Sequence, residues 1–420
     1  MKVRTPHFIR LASAALLAAA ALTTHAADPW QDVDSFQYLP GFRAYGSDIT
    51  TDPSTGVLYA VGGGNTDASG NYRLALVNVS YDQGANWTTL TQAHEPGWTW
   101  GHYRAVAVSG SRLFVGGNGR YTDSTGEQGI SWLIRESVDE GQTWTTTDAL
   151  LGDYSGCSDI AINPFTGDVY ASGSSGTVGG IIRKRAANAP EFSPFTPVYA
   201  AGPGDIGSGW SIAFHPNGSV IVAGNRVNAT THAMTWIVLR SASGDAGTWQ
   251  PVDTFRTTEW TGISAGGCLV TADGTIYVSG WAYNSKTRKN QWIVRASADG
   301  GNTWAISDNF SYGGNTPYVF EITQDTKGNI YVCGQAADQA GKLFWLVRKD
   351  TPTTTRVKQG RNYVYVTTIV WTTSDAYQFA PGEEAMALGI TVDDSGNVFA
   401  NGRAQDATGV EHLIVRKLTP

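Results

Sequence analysis

Ser137-Val-Asp139-Glu-Gly141-Gln-Thr-Trp144 decides how this chain is read, because it is one of four near-copies. The others are Ser80-Tyr-Asp82-Gln-Gly84-Ala-Asn-Trp87, Ser297-Ala-Asp299-Gly-Gly301-Asn-Thr-Trp304 and a looser Ser243-Gly-Asp245-Ala-Gly247-Thr-Trp249. The phrase has local chemistry. Its Asp accepts N–H bonds inside a turn, its Gly takes a backbone conformation that a Cβ resists, and its Trp packs between sheets. A phrase repeated along the chain is scaffold before it is a unique site.

A second phrase recurs with it: a short apolar strand, an Asp/Gly/Asn turn, then an apolar strand ending in Gly. Ile160 to Gly173 and Ile212 to Gly224 show it, and further copies end at Gly62, Gly116, Gly280, Gly334 and Gly402. These seven glycines lie 54, 57, 51, 56, 54 and 68 residues apart. A period of that size holding several short strands is the mark of a propeller. A third strand follows each hairpin, as in Trp132–Arg135, Trp292–Arg295 and Trp345–Arg348, then the Ser-x-Asp turn, then a fourth strand. The stretch 185–197 replaces the turn in the third unit, and an insertion around 352–361 lengthens the sixth.

The fourth strand has its own phrase. Trp249 to Phe255, Trp304 to Phe310 and Trp371 to Tyr377 share Trp-x-x-x-Asp-x-aromatic, and so does Trp30 to Phe36 near the N-terminus. The last unit stops after its third strand, at Ile414–Arg416. The N-terminal segment is therefore expected to complete the last blade and close the ring, which removes open sheet edges. The expected fold is all-β, a seven-bladed β-propeller over 27–420.

Residues 1–26 are read as a secretory signal peptide: Lys2, Arg4 and Arg10 precede an apolar run from Leu11 to Leu22, and Thr24-His25-Ala26 resembles a cleavage site. A secreted location, extracellular or periplasmic, follows. No stretch is long enough to span a membrane. Net charge is −7 with 15% charged residues, which disfavours nucleic acid as a partner. Cys157, Cys268 and Cys333 are odd in number and lack metal spacing, so they are read as buried apolar groups.

The Ser-x-Asp-x-Gly-x-Thr-Trp phrase resembles the Asp-box, or BNR repeat, of the sialidase-like β-propellers. The resemblance implies a glycan-active protein, and Phe42-Arg43-Ala44-Tyr45 stands where sialidases carry Arg-Ile-Pro, without the Ile-Pro. Those enzymes resemble one another in three arginines that grip a carboxylate, a Tyr nucleophile paired with Glu, and an Asp acid/base.

Strand order places the stereotyped turns on one face and the irregular loops on the other, where a site belongs. The richest loop is His94-Glu95-Pro-Gly-Trp98-Thr-Trp100-Gly-His102-Tyr103-Arg104. Glu95, His102, Tyr103, Asp153, Asp159 and Glu259 are the catalytic candidates. Arg43, Tyr45, Asp48, His94, Trp98, Trp100, Arg104, Arg120, Tyr121, Trp210, Arg226, Trp260, Tyr318 and Arg403 are the substrate-binding candidates, and Glu321 shares their face. A pair of these carboxylates would serve hydrolysis. A lyase would use His102 or Tyr103 to abstract a proton, with Arg104 neutralising a uronate carboxylate. His94 and His102 lie eight apart, and no phosphate cradle or nucleophile elbow is present, so no metal and no cofactor is expected. The expected partner is an extracellular carbohydrate or polysaccharide bearing an anionic sugar. The alternatives are a non-catalytic, lectin-like or adhesion propeller and, behind it, a protein-interaction scaffold.

Overall fold

The computed structural model describes residues 29–420, apart from 71, 94–97, 123–125, 127, 151–154, 177–178, 193–198, 201–204, 229, 314–316 and 360–361. The signal-peptide reading of 1–26 lies outside the described residues.

The described chain is built of strands and turns. They are β1 (Trp30–Phe36), β2 (Ala44–Thr51), β3 (Leu58–Asn65), β4 (Arg73–Ser80), β5 (Thr88–Ala93), β6 (Trp98–Ser109) and β7 (Arg112–Thr122). There follow β8 (Gln128–Ser137), β9 (Thr145–Leu150), β10 (Gly156–Ile162), β11 (Val169–Ser175), β12 (Gly179–Arg185), β13 (Tyr199–Ala200) and β14 (Asp205–Phe214). Next come β15 (Val220–Asn228), β16 (Met234–Ser241), β17 (Gln250–Phe255), β18 (Trp260–Val270), β19 (Ile276–Asn284), β20 (Lys289–Ser297) and β21 (Ala305–Phe310). The last are β22 (Tyr318–Gln324), β23 (Ile330–Ala337), β24 (Leu343–Gln359), β25 (Asn362–Tyr377), β26 (Ala385–Val392), β27 (Val398–Gln405) and β28 (Glu411–Leu418).

The expectation of seven separate blades is corrected. Five sheets are independent four-stranded blades: β10–β13, β14–β17, β18–β21, β22–β25, and β26-β27-β28 with β1. Strands β2–β9 form a single eight-stranded sheet. The join is a parallel contact of β4 with β6 at Arg73 and Trp100. There the Arg73 guanidinium also lies 4.9 Å from the Trp100 ring centroid, so one residue pair fuses what the repeat alone would leave apart. At the other end of the chain β1 runs antiparallel to β28, Trp30 facing Leu418 and Phe36 facing Leu413.

The core is a series of apolar layers between neighbouring sheets. One layer packs Trp236 and Ile221 against Ile263, Val278 and Ile293; another packs Trp345 and Val347 against Ile390, Ala400 and Ile414. Cys157, Cys268 and Cys333 are buried free thiols within such layers. The closing glycines follow from this packing. A Cβ on Gly280, Gly334 or Gly402 would fall 2.1–2.2 Å from a carbonyl oxygen of the strand before it. It would also fall 2.6–3.0 Å from Trp236, Trp292 or Trp345 of the preceding blade.

The Trp-x-x-x-Asp-x-aromatic phrase has a cause in electrostatics. Its Asp pairs bidentately with a buried arginine on the third strand of the next blade. Arg183 meets Asp148 at 2.6 and 2.7 Å, Arg295 meets Asp253 at 2.8 and 3.0 Å, and Arg348 meets Asp308 at 2.6 and 3.0 Å. Arg416 and Asp375 repeat it at 2.9 and 3.1 Å. The aromatic two residues on lies under the guanidinium: Phe310 is 3.7 Å from Arg348 and Tyr377 is 3.9 Å from Arg416. The ladder breaks where the ring joins. The register position of these arginines on β4 is Asn78, so Asp34 of β1 faces no cation from that strand. Asp34 Oδ2 and Asn78 Nδ2 are buried without a hydrogen-bond partner in the described structure.

The Ser-x-Asp turns form closed local networks. In the second, Ser137 Oγ donates to Asp139 and accepts from the Gly141 N–H, while Thr143 donates twice to Asp139. The looser copy is shifted: Ser241, not Ser243, accepts the Gly244 N–H, and Asp245 receives Lys184 at 2.9 Å. The insertion in β24 and β25 is a two-stranded ribbon whose residues 351–358 are all exposed.

Candidate functional site

A cavity of about 1060 Å³ opens among the starts of the innermost strands and the loops between second and third strands. Its position follows from a repeated bulge. The inner strands slip register between Gly46 and Asp48, Tyr103 and Ala105, Cys157 and Asp159, Val319 and Glu321, and Ala387 and Gly389. An extra residue at each bulge turns side chains towards the centre. Ser47, Arg104, Ser158, Phe320 and Leu388 all line the cavity.

One wall is cationic and aromatic. Arg73 lies over the rings of Tyr45 and Trp100, with its guanidinium 4.4 and 4.9 Å from their centroids, and its Nε donates to Asn65 at 3.2 Å. Burial lowers Arg73 to about 10, with the charges of Arg403 and Arg43 adding and Glu411 opposing. Arg403 is paired with Glu411 at 2.9 Å. His102 sits edge-on to Tyr45, 4.9 Å between centroids, and its Nε2 is 2.6 Å from Ser47 Oγ. Burial holds this imidazole well below its ordinary value, and Arg104, Arg73 and Arg403 push it further down. The opposite wall is apolar: Trp281 meets Tyr318 edge-on at 5.7 Å, and Tyr318 stacks at 6.5 Å on Phe320.

Three carboxyl groups occupy one register position on their strands: Asp48, Asp159 and Glu321. Asp48 Oδ2 accepts the Val106 N–H at 2.8 Å, and Asp159 Oδ2 accepts the Ile212 N–H at 2.7 Å. Ser211, at the same register position, accepts the Cys268 N–H through its Oγ at 3.1 Å. These contacts clamp each inner strand to the next. Glu321 differs: its Oε1 accepts only the N–H of the following residue, Ile322, at 3.0 Å. Burial raises Asp48 to about 7, with Asp159 adding, and Asp159 to about 6. It drives Glu321 well above a glutamate's usual value, with Asp159 and Asp48 adding. Among the described residues, no group of three or more His, Cys, Asp or Glu side chains could hold a metal ion.

Of the sequence candidates, Arg43, Tyr45, Asp48, Trp100, His102, Arg104, Asp159, Tyr318 and Arg403 line the cavity. Tyr103 is corrected to core. It alternates with His102 along β6, is 1% exposed, and packs with Tyr59 and Val61. Trp260 is likewise core, packed on Phe255 at 6.2 Å between two sheets. Glu259 is bound to Lys286 at 2.6 Å and to Asn284, outside the cavity lining. Arg120 and Arg226 do not line it either. His94, Glu95 and Asp153 lie outside the described residues, as do the side chains of Trp98, Tyr121 and Trp210. The reading by inter-strand loops passed over Ser47, Arg73, Trp281 and Glu411. Arg73 begins a third strand; Lys289 and Glu411 begin two others, so a charge at that position gave it no signal of its own.

No family model matches the chain, and no curated protein matches it. Among solved structures, YCF48 bound to a D1 peptide is similar with a TM-score of 0.50 at 13% identity, over 95% of this chain and 100% of that one. A Trypanosoma rangeli sialidase in complex with a difluorosialic acid is similar at 12% identity and TM-score 0.48, and the match spans 58% of its length. A Penicillium chrysogenum α-L-arabinanase complexed with arabinobiose is similar at 13% identity and TM-score 0.46, over 71% of this chain and 93% of that one. At these identities the likeness is one of fold: an all-β propeller.

Proposed function

We propose that this chain is a secreted propeller of the Asp-box type that binds an anionic glycan in its central cavity and hydrolyses a glycosidic bond there. The observation that carries the reading is the two-walled cavity. Arg43, Arg73 and Arg403 supply the planar donors that suit a sugar carboxylate. Trp281, Tyr318 and Phe320 supply an apolar surface on which a pyranose ring can rest. Two carboxyl groups in unlike states give acid and base. Glu321, which burial holds well above a glutamate's usual value, donates to the leaving oxygen, while Asp159, raised only to about 6, serves as the base. Secretion rests on Lys2, Arg4 and Arg10 ahead of the apolar run from Leu11 to Leu22.

The test is incubation with a panel of acidic polysaccharides and sialosides, following new reducing ends and the ultraviolet absorbance of unsaturated uronates. New reducing ends alone, abolished in Glu321→Gln, support hydrolysis. Unsaturated products instead mean a lyase. Glu321→Gln at full activity removes it as the acid.

A second reading, non-catalytic binding, is favoured by one observation: Asp48 and Asp159 are both engaged in holding the neighbouring strand's backbone. The same cationic wall suits a carboxylate on a peptide, and YCF48, which is similar in fold, is bound to a D1 peptide. Saturable binding with neither chemical signal supports it.

A further inference from the structure

The pairing of Ser47 with His102 stands apart from the scaffold. The Asp48–Val106 clamp beside it recurs as Asp159–Ile212 and Ser211–Cys268, the behaviour of a repeated structural tie. Among the described residues the Ser47–His102 contact does not recur. At the register position of His102 the other inner strands carry Tyr45, Gly156, Ser208, Ser264, Tyr318 and Met386. An imidazole against a serine hydroxyl at 2.6 Å is therefore an addition to the fold, made once. Both residues line the cavity, and both are only partly buried, so a substrate there can reach them. The ring is held by Tyr45 at 4.9 Å and Trp100 at 6.3 Å, each edge-on.

We propose that Ser47 and His102 form a nucleophile–base dyad that hydrolyses carboxylic esters carried by an anionic molecule. Ser47 Oγ bonds to the ester carbonyl carbon as its proton passes to His102 Nε2. The negative charge gathers on the carbonyl oxygen beside the cavity's guanidiniums, Arg104 foremost, as positive neighbours that stabilise an oxyanion. Collapse breaks the bond to the alcohol oxygen, which leaves with the proton from His102. Water then attacks the acyl-serine, giving its proton to His102, and Ser47 departs with it, so ester and water become acid and alcohol. The anionic character of the substrate has its own reason. His102 is kept neutral by burial and by Arg104, Arg73 and Arg403. A substrate carboxylate among those arginines offsets their charge and raises the proton affinity of His102 as the substrate binds. This activity is separate from glycosidic cleavage and stands or falls independently of it.

The test treats the purified full-length protein at pH 7 with an alkyl fluorophosphonate and locates the adduct by peptide mass. The expected result is one adduct on Ser47, absent in Ser47→Ala. His102→Gln, which keeps a hydrogen-bonding group but no base, should react at least about 100-fold more slowly. Mono-p-nitrophenyl succinate should be hydrolysed faster than p-nitrophenyl acetate, and Arg73→Met should erase that preference. Thermal melts check that the variants are folded. A folded wild type that gains no adduct on Ser47 overturns the dyad. Labelling of Ser47 in His102→Gln at the wild-type rate overturns the role of the imidazole.

Discussion

Replacing Asp34 with asparagine should make the ring more stable at neutral pH and leave it unchanged in acid. Every other Asp of its phrase for which a partner is described meets a buried arginine; Asp34 faces the position of Asn78. Burial raises the Asp34 carboxyl from 3.8 to about 6, partly offset by the Ser35 N–H. A raised folded-state value means the protonated form suits the fold. The stability it contributes is complete below about 3.8, declines as pH rises to about 6, and is gone above that. A shift of this size corresponds to ~3 kcal/mol at pH 7.5. For a chain of this length ~3 kcal/mol is about 4 °C in melting temperature. Melting curves of wild type and Asp34→Asn at pH 4 and pH 7.5 are compared. Asp48, Asp159 and Glu321 are also raised, so the wild-type profile alone is ambiguous, but the difference between the two proteins isolates Asp34. The expected difference is near zero at pH 4 and about 4 °C in favour of the variant at pH 7.5. Equal offsets at both pH values, or a variant less stable at pH 7.5, would refute the reasoning.

Other outcomes follow from the same structure. Arg348→Met leaves Asp308 buried and uncompensated, and should cost ~3–5 kcal/mol in a denaturant titration; adding Asp308→Asn should recover most of it. Gly334→Val drives a Cβ to 2.1 Å from the Tyr318 carbonyl oxygen and should prevent folding, seen as loss of soluble protein. Gly341→Ala meets nothing within 4 Å and strains only a φ of +82°, so it should cost only ~1 kcal/mol. Excising 354–367 and joining Thr353 to Thr368 through Asn-Gly removes a ribbon paired with itself, of which residues 354–358, 363 and 365 are exposed. The melting temperature should move by less than about 2 °C.

The repeat was legible because each of its phrases has a local physical cause. Asp139 closes its own turn, and Asp308 must lie where Arg348 can reach it. The strand order and the seating of Trp30–Phe36 on Leu413–Leu418 could therefore be read from spacing. The fusion of β2–β9 into one sheet could not, because it rests on a single backbone contact between Arg73 and Trp100. Within the site, the loops named the face on which the cavity opens. Strand parity divides what the loop reading grouped: neighbours His102 and Tyr103 point to opposite sides of β6, one to the cavity and one to the core, before the bulge at Arg104. Glu259 was read as catalytic, but its nearest cation, Lys286, lies on a loop that no spacing rule links to it. Ser47 carried no signal, since a serine among Gly46, Ser47 and Asp48 looks like a turn until His102 from the adjoining strand is placed beside it.

The seating of β1 on β28 sets a schedule for the nascent chain. Once made, β1 must wait for residues 411–418 before it gains its partner, about 20–80 s at ordinary translation rates. Intervening sheets can stack as they emerge, but β1 carries an exposed hydrogen-bonding edge throughout that interval. Ribosome-stalled chains lacking 411–418 should therefore display Trp30 to solvent and be the species on which holding chaperones act.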